Sequence, residues 1–197
     1  MVALTFDDGP HPLHTEQILD ILASCQIKAT FFVLGCNVEL YPKPLLRASA
    51  EGHEIENHSY DHQTRGRSAR DLSASIVKTG DIIERLTGKR PTYFRPPEGK
   101  STKAVETAIR QLSLVEVFWT LDSRDWTGKS PLSIAQSILK EANGDEVILF
   151  HDYTCPSHNT MDALPVVIEG LKSKGYTFVT IDTYFSTLAR EGALTLW

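Results

Sequence analysis

Two adjacent carboxylates, Asp7 and Asp8, stand directly before a Gly-Pro turn in Thr5-Phe6-Asp7-Asp8-Gly9-Pro10. Further along, His58-Ser59-Tyr60-Asp61-His62 offers two imidazoles at positions i and i+4. Three more clusters follow in order: Arg95-Pro96-Pro97-Glu98-Gly99, Asp122-Ser123-Arg124-Asp125-Trp126 and Leu149-Phe150-His151-Asp152. Two histidines and one carboxylate can hold a divalent cation with positions left open for water and substrate. Such an ion lowers the pKa of water and polarises a carbonyl oxygen. With two neighbouring carboxylates, one can bind the ion while the other stays free as a general base. His58 and His62 are expected to meet on one face of a helical turn.

The remaining clusters complete a hydrolytic inventory. Arg95 precedes two prolines that stiffen the backbone, which suits its guanidinium to orient a carboxylate. Asp125 can pair with a histidine and raise its pKa. His151 ends an apolar run and is the candidate to protonate a leaving group, while Leu149 and Trp126 offer apolar surface for a small methyl-bearing group. Tyr60 and Tyr153 can stack on a sugar face. Each cluster also has a plain reading in isolation: an ordinary Asp-Asp-Gly-Pro turn, a coincidental His pair, a surface salt bridge at Arg95, a loop carboxylate at Asp125, a structural His151. Of the other histidines, His53 reads as a structural residue entering a strand. His11, His14 and His158 read as loop residues, with His11 the one to touch substrate. Cys25, Cys36 and Cys155 are too few to pair fully and match no zinc-knuckle spacing, so free thiols are expected.

The elements that must position these groups alternate along the chain. Apolar, β-rich runs recur at Val2-Phe6, Ala29-Val33, His53-Asn57, Tyr93-Arg95, Val115-Leu121, Val147-Phe150 and Phe178-Ile181. Helical stripes lie between them, at Leu72, Ile76, Thr79, Ile83 and Leu86 and again at Leu164, Val167, Ile168 and Leu171, with Gly175 as a stop. Thr15 is expected to cap a helix from Glu16 to Cys25. Strand and helix in alternation predict an α/β fold with a parallel sheet and helices outside it. The chain is shorter than the roughly 250 residues of an eight-fold barrel, so a distorted (β/α) barrel with about seven parallel strands is expected. An open doubly wound sheet is the alternative, although no GxGxxG follows the first strand. All five clusters fall at the carboxyl ends of apolar runs, the face on which α/β barrels build their sites.

At 197 residues, with 41% hydrophobic and 23% charged content, the chain can bury one core, and a single domain over 1–197 is expected. A formal net charge of -5 without charge runs gives no footprint for nucleic acid. A neutral or cationic substrate is easier to accept. No apolar run approaches the ~20 residues of a transmembrane helix. Met1-Val2-Ala3-Leu4 lacks the features of a signal peptide; because a core strand begins at once, a missing or trimmed upstream segment is expected.

In this order the five motifs resemble the polysaccharide deacetylases of carbohydrate esterase family 4, the NodB homology domain, from Val2 to about Thr183. The resemblance implies a distorted (β/α) barrel and a divalent metal, usually zinc, with cobalt, nickel or manganese as alternatives. By motif position it makes Asp8, His58 and His62 the ligands, Asp7 the base, Arg95 the residue that holds the base, and Asp125 the residue that tunes the catalytic acid His151. Leu149 and Trp126 match the acetyl pocket; Glu98 and Tyr60 join them as expected substrate contacts. The implied reaction cleaves a linear amide C–N bond, removing N-acetyl groups from a GlcNAc-containing glycan, peptidoglycan or chitin, and releasing acetate. A monomer, extracellular or associated with the cell wall, is expected. Muramic-acid deacetylation is less expected, because relatives with that role tend to lose the second Asp and Asp8 is present. An acetylxylan esterase or a non-catalytic glycan-binding relative are the alternatives. Two departures stand out. Glu98 replaces a common aromatic, which favours a cationic or polyhydroxylated neighbour while leaving its backbone N–H as the expected oxyanion donor. Glu56 replaces a small residue at a strand end.

Overall fold

The computed structural model of the protein describes residues 1–153 and 159–192. Strand β1 (Val2–Asp7) is buried along its whole length, as expected of the central strand in a parallel sheet covered on both faces. The chain continues through α1 (His14–Ser24), β2 (Thr30–Val33), α2 (Gly35–Leu40), α3 (Pro42–Ala50) and β3 (Glu54–Asn57). Then come α4 (Ala69–Thr87), β4 (Tyr93–Phe94), α5 (Lys103–Gln111), β5 (Val115–Glu116) and β6 (Leu121–Asp122). The last elements are α6 (Pro131–Glu141), β7 (Glu146–His151), α7 (Asn159–Ser173), β8 (Phe178–Val179) and α8 (Ile181–Arg190).

The strands pair in the order β5-β4-β3-β2-β1-β7-β6, all in parallel, and the sheet curls into a distorted (β/α) barrel. β7 runs beside all of β1, from Val2 opposite Glu146 to Asp7 opposite His151. The other edge of β1 is shared: β8 takes Val2 and Ala3, and β2 takes Thr5 to Asp7. The register therefore carries Asp7 and His151 to the same level at adjacent strand ends.

The Val115-Leu121 run does not form one strand. It splits into β5 and β6, which lie on opposite edges of the sheet, and residues 117–120 cross the seam between them. Val117 N–H donates to Phe94 O on one side and Thr120 N–H to Val147 O on the other. An apolar run marks burial but not which edge its ends must reach.

Phe6 stacks between Phe31 at 5.1 Å and Phe150 at 5.7 Å, so three neighbouring strands share one aromatic layer beneath the sites. The stripe on α4 is buried at Leu72, Ile76, Thr79 and Ile83; Ser68 caps its start by accepting Asp71 N–H, and Gly88 at φ 74° ends it. On α7, Leu164, Val167, Ile168 and Leu171 are all buried. Thr15 is not a cap. The helix begins at His14, and the buried Thr15 hydroxyl donates to Asp152 Oδ2 at 2.5 Å while accepting the His11 N–H at 2.7 Å. Buried Glu56 accepts the Thr92 and Tyr93 N–H groups at the start of β4, and burial pushes its carboxyl up to about 9. Among the described residues no helix is long and apolar enough to cross a membrane.

Replacing Phe6 with Ala removes the middle ring of the layer. Urea unfolding of Phe6→Ala is expected to lose about 3–5 kcal/mol of stability, and a loss below about 1 kcal/mol would show that the layer is not part of a rigid core.

Candidate active site

Asp7 ends β1 with its side chain turned inward, and Arg95 meets it from the end of β4. The guanidinium is fully buried. Its Nη1 donates to Asp7 Oδ1 at 2.7 Å and to Thr5 Oγ1 at 2.8 Å, Nε to Val117 O at 3.3 Å and Nη2 to Phe118 O at 3.1 Å. Its flat face lies 4.1 Å from the centre of the Phe32 ring. Asp7 Oδ2 is left on the side of His58, 3.8 Å from Nε2.

Asp8 follows with a left-handed backbone, φ 77°. Its Oδ1 is buried without a hydrogen-bond partner and lies 3.4 Å from the Nε2 atoms of both His58 and His62. Burial opposes ionisation of Asp8, yet His58, His151 and His62 hold the carboxyl down at about 2. His58 is buried, and its Nδ1 donates to Arg95 O at 2.8 Å. A carbonyl only accepts, so Nδ1 carries a proton, and in the neutral imidazole Nε2 keeps its lone pair.

The two histidines do not share a helical turn. Ser59 at φ 74° and His62 at φ 61° break any helix, and side chains hold the loop instead. Asn57 Oδ1 accepts Ser59 N–H at 2.9 Å and Ser59 Oγ accepts His62 N–H at 3.2 Å. The imidazoles nevertheless come to 5.2 Å between centroids. Ligand atoms of Asp8, His58 and His62 all lie within 4.8 Å of one another. Converging acceptors with a buried orphan oxygen among them fit a divalent cation, and two imidazoles with one carboxylate suit zinc and its first-row neighbours.

His151 ends β7. Its Nδ1 lies 2.8 Å from Asp125 Oδ1, its backbone N–H donates to Asp125 Oδ2 at 2.9 Å, and Thr160 Oγ1 donates to the same oxygen at 2.6 Å. Burial works against the charged imidazole, but the Asp125 hydrogen bond and the charges of Asp125, Asp7 and Asp8 overcome it, raising His151 to about 9. Behind it, Asp152 lies buried under the first turn, where a Cβ on Gly9 would fall 2.1 Å from Oδ2. Burial pushes this carboxyl up to about 7.

These groups open onto one cavity of about 410 Å³. Asp7, Asp8, His58, His62 and His151 form its floor, and Glu98, Trp126 and Leu149 line it as well. Arg95 and Asp125 stand behind, touching Asp7 and His151. Tyr60 is not part of this wall. Its hydroxyl donates to Glu39 Oε2 at 2.6 Å and Lys78 Nζ sits 3.5 Å over its ring, because the left-handed Ser59 turns the ring toward α2 and α4. His11 and Tyr153 also lie outside the lining; His11 stacks on His14 at 4.0 Å and meets the Tyr153 ring edge-on at 5.0 Å. Cys25 and Cys36 are free. Cys155 and His158 lie outside the described residues.

Four lining residues carry no sequence signal as contacts: Gly99, Lys100, Trp119 and Asp122. Trp119 was hidden within a run that reads as one strand. Its ring packs so closely on Gly99, at φ 62°, that a Cβ there would come within 2.6 Å. Glu98, at φ 58°, is exposed at the rim but not solitary, since Lys100 Nζ and Arg65 Nη2 both donate to its Oε2. The rim carboxylate already has two cations.

Comparison with known proteins follows this geometry. The family model for polysaccharide deacetylase matches residues 1–117. The peptidoglycan-N-acetylmuramic acid deacetylase PdaC of Bacillus subtilis is 38% identical over 182 residues, covering 92% of this chain and 38% of that protein. Its solved structure superposes with a TM-score of 0.89 at 36% identity, over 98% of this chain and 93% of that one. A peptidoglycan-N-acetylglucosamine deacetylase of Bacillus cereus is 39% identical over 189 residues, 94% of this chain and 68% of that protein. A family 4 acetyl xylan esterase from Clostridium thermocellum, solved with a cobalt ion, gives a TM-score of 0.89 at 34% identity over 95% of this chain and 91% of that one. The chain thus spans little more than a third of PdaC and about two thirds of the Bacillus cereus enzyme. With the match, the relatives and the fold in agreement, the chain belongs to the polysaccharide deacetylases of carbohydrate esterase family 4.

Proposed function

We propose that this chain is a metal-dependent hydrolase that removes N-acetyl groups from GlcNAc-containing glycans at the cell wall, peptidoglycan strands first and chitin oligomers second, acting as a monomer. The observation that carries the reading is the pairing of Asp7 and His151 at one level of adjacent strands, each with its own buried partner, beside the convergent Asp8, His58 and His62. Asp8, His58 and His62 would hold the ion, which supplies Lewis acidity toward water and the substrate carbonyl.

The chain's own groups divide the proton work. Arg95 occupies Asp7 Oδ1, so Oδ2, on the His58 side, takes the proton of the attacking water. His151 is an imidazolium at neutral pH and gives its proton to the departing amine. Leu149, Trp126 and Trp119 enclose the acetyl methyl in apolar surface and exclude water from it. The Gly99 and Lys100 N–H groups are spent on Pro96 and Pro97 carbonyls; the backbone N–H of Glu98 serves the developing oxyanion.

Relatives named for N-acetylglucosamine and for N-acetylmuramic acid stand at nearly equal identity, so GlcNAc is preferred on the presence of Asp8 rather than on likeness. Acetylxylan hydrolysis is the second reading, favoured by the esterase superposition, because the same groups would serve an ester. A purely glycan-binding role is disfavoured by the intact base, ligand and acid positions.

Acetate release should be measured from peptidoglycan, chitopentaose and acetylated xylan, with chelated protein and with zinc or cobalt restored. Metal-dependent release from a GlcNAc glycan is expected; release from xylan alone would make the protein an esterase. Asp7→Asn is expected to bind metal as before while acetate release falls roughly 10²–10⁴-fold, and unchanged turnover would overturn the assignment of the base. His58→Ala should lose both metal and activity; full metal occupancy in that variant would sink the ligand set.

Asp125 stabilises the charged imidazole, so its removal must lower the pKa of His151. In Asp125→Asn, NMR titration of the metal-free protein should place His151 well below its raised value of about 9, and the alkaline limb of kcat/KM should move to lower pH. An unmoved limb would mean that His151 is not the acid.

A further inference from the structure

We infer that Asn37, which lies in none of the five motifs, is a positioning residue that sets the affinity of Asp8, His58 and His62 for their metal by tying the Asp8 loop to the same helical turn that holds the histidine loop. The inference rests on the metal reading proposed above and concerns how the chain prepares that site before an ion arrives.

Successive side chains of an extended strand point to opposite faces. Asp7 is the last residue of β1 and faces Arg95, so an extended Asp8 would send its carboxylate away from the cavity. Both carboxylates nonetheless line that cavity. The left-handed turn at Asp8, φ 77°, brings Oδ1 back beside the imidazoles. An L residue adopts this conformation uncommonly, Asp more readily than most, and contacts around it help to hold it there.

The Asp152 N–H holds the Asp7 carbonyl at 3.2 Å before the turn, and the contacts on Asp8 and Gly9 themselves come from the first turn of α2 and the residue before it. Asn37 Nδ2 donates to the Asp8 carbonyl at 2.7 Å, and Leu34 N–H just before the helix donates to the Gly9 carbonyl at 2.9 Å. The same turn grips the histidine loop: Gly35 N–H donates to Ser59 O at 3.0 Å and Cys36 N–H to Tyr60 O at 2.9 Å. One turn therefore holds the aspartate and the histidine halves of the ligand set at a fixed separation. Its own position is fixed from behind, because a Cβ on Gly35 would lie 2.5 Å from Thr79 Oγ1 and 2.7 Å from the Tyr60 ring. Asn37 is buried and supplies the side-chain link in this frame. Its amide orientation follows from chemistry, since only Nδ2 can donate to a carbonyl.

Asn37→Asp keeps the shape and replaces the donor with an acceptor; Asn37→Leu removes the donor without adding charge. Zinc dissociation constants of wild type and both variants would be measured by chelator competition, together with the visible absorption of the cobalt-loaded proteins and the thermal midpoints of the metal-free proteins. Partners that orient metal ligands typically alter affinity 10–100-fold when lost. The expected result is roughly a 10-fold or greater weakening of zinc binding in both variants, with an altered cobalt spectrum and metal-free midpoints close to wild type. Zinc affinities within about two-fold of wild type would overturn the inference while leaving the metal reading intact. Failure of both variants to fold would also overturn it, because Asn37 would then support the core rather than the ligands. A wild-type protein that takes up no zinc or cobalt would overturn the metal reading and this inference with it.

Discussion

The buried ion pair between Arg95 and Asp7 carries the architecture as well as the site. A guanidinium taken wholly out of water must satisfy its donors inside the protein, and leaving one charge of such a pair alone costs about 3–5 kcal/mol. Arg95 meets this demand by reaching Asp7 and Thr5 on β1 and the carbonyls of Val117 and Phe118 in the crossing segment. Those carbonyls sit where the sheet has no strand pairing, on the seam between β5 and β6. One side chain thus orients the carboxylate and ties the open edge of the barrel to its central strand. Lys could not replace it, because a single ammonium lacks the planar fork that addresses several acceptors at once.

The second buried pair, Asp125 with His151, uses the same device with the charges exchanged. Asp7 and His151 are register partners on neighbouring strands, and each is held by a buried group of opposite charge standing behind it. Arg95 occupies one oxygen of the carboxylate, and Asp125 keeps the imidazole protonated at neutral pH despite burial. An imidazole whose pKa is raised by its surroundings thus stands beside a carboxylate held by a guanidinium. The aromatic layer of Phe6, Phe31 and Phe150 beneath them gives the register a rigid floor.

What could be read from the sequence follows from this construction. Barrel sites gather short polar clusters immediately after apolar runs, so Asp7, Asp8, His58, His62, Arg95 and His151 were visible by type and place, as were the alternation of elements and the distorted barrel. Geometry set by backbone turns was not visible. The His58 to His62 spacing suggested a helix because nothing in residue type marks Ser59 and His62 as left-handed, and the same Ser59 turns Tyr60 out of the cavity. Val115-Leu121 suggested one strand because apolar patterning is blind to which sheet edge a residue joins, and Trp119 was concealed with it. Thr15 has the chemistry of a cap, but its hydroxyl is claimed by Asp152, a partner distant in the chain. Asn37 left no signal, since its role is to bind a backbone carbonyl.

Backbone strain shows why such supporting residues are needed. Of the seven non-glycine residues with positive φ among the described residues, five lie in the polar clusters: Asp8, Ser59, His62, Glu98 and Arg124. A left-handed L residue costs up to roughly 1–2 kcal/mol, less for Asp. The loops cannot hold these conformations by themselves. Contacts made by supporting side chains must offset the strain: Asn57 on Ser59, Ser59 on His62 and Asn37 on Asp8. The buried ones are strongest, because an amide spent on a carbonyl inside the protein faces no competition from water. A site of this kind is therefore only as well formed as its frame. Substitutions in the frame should first loosen ligand geometry, well before they disturb the barrel that Arg95 and the aromatic layer hold.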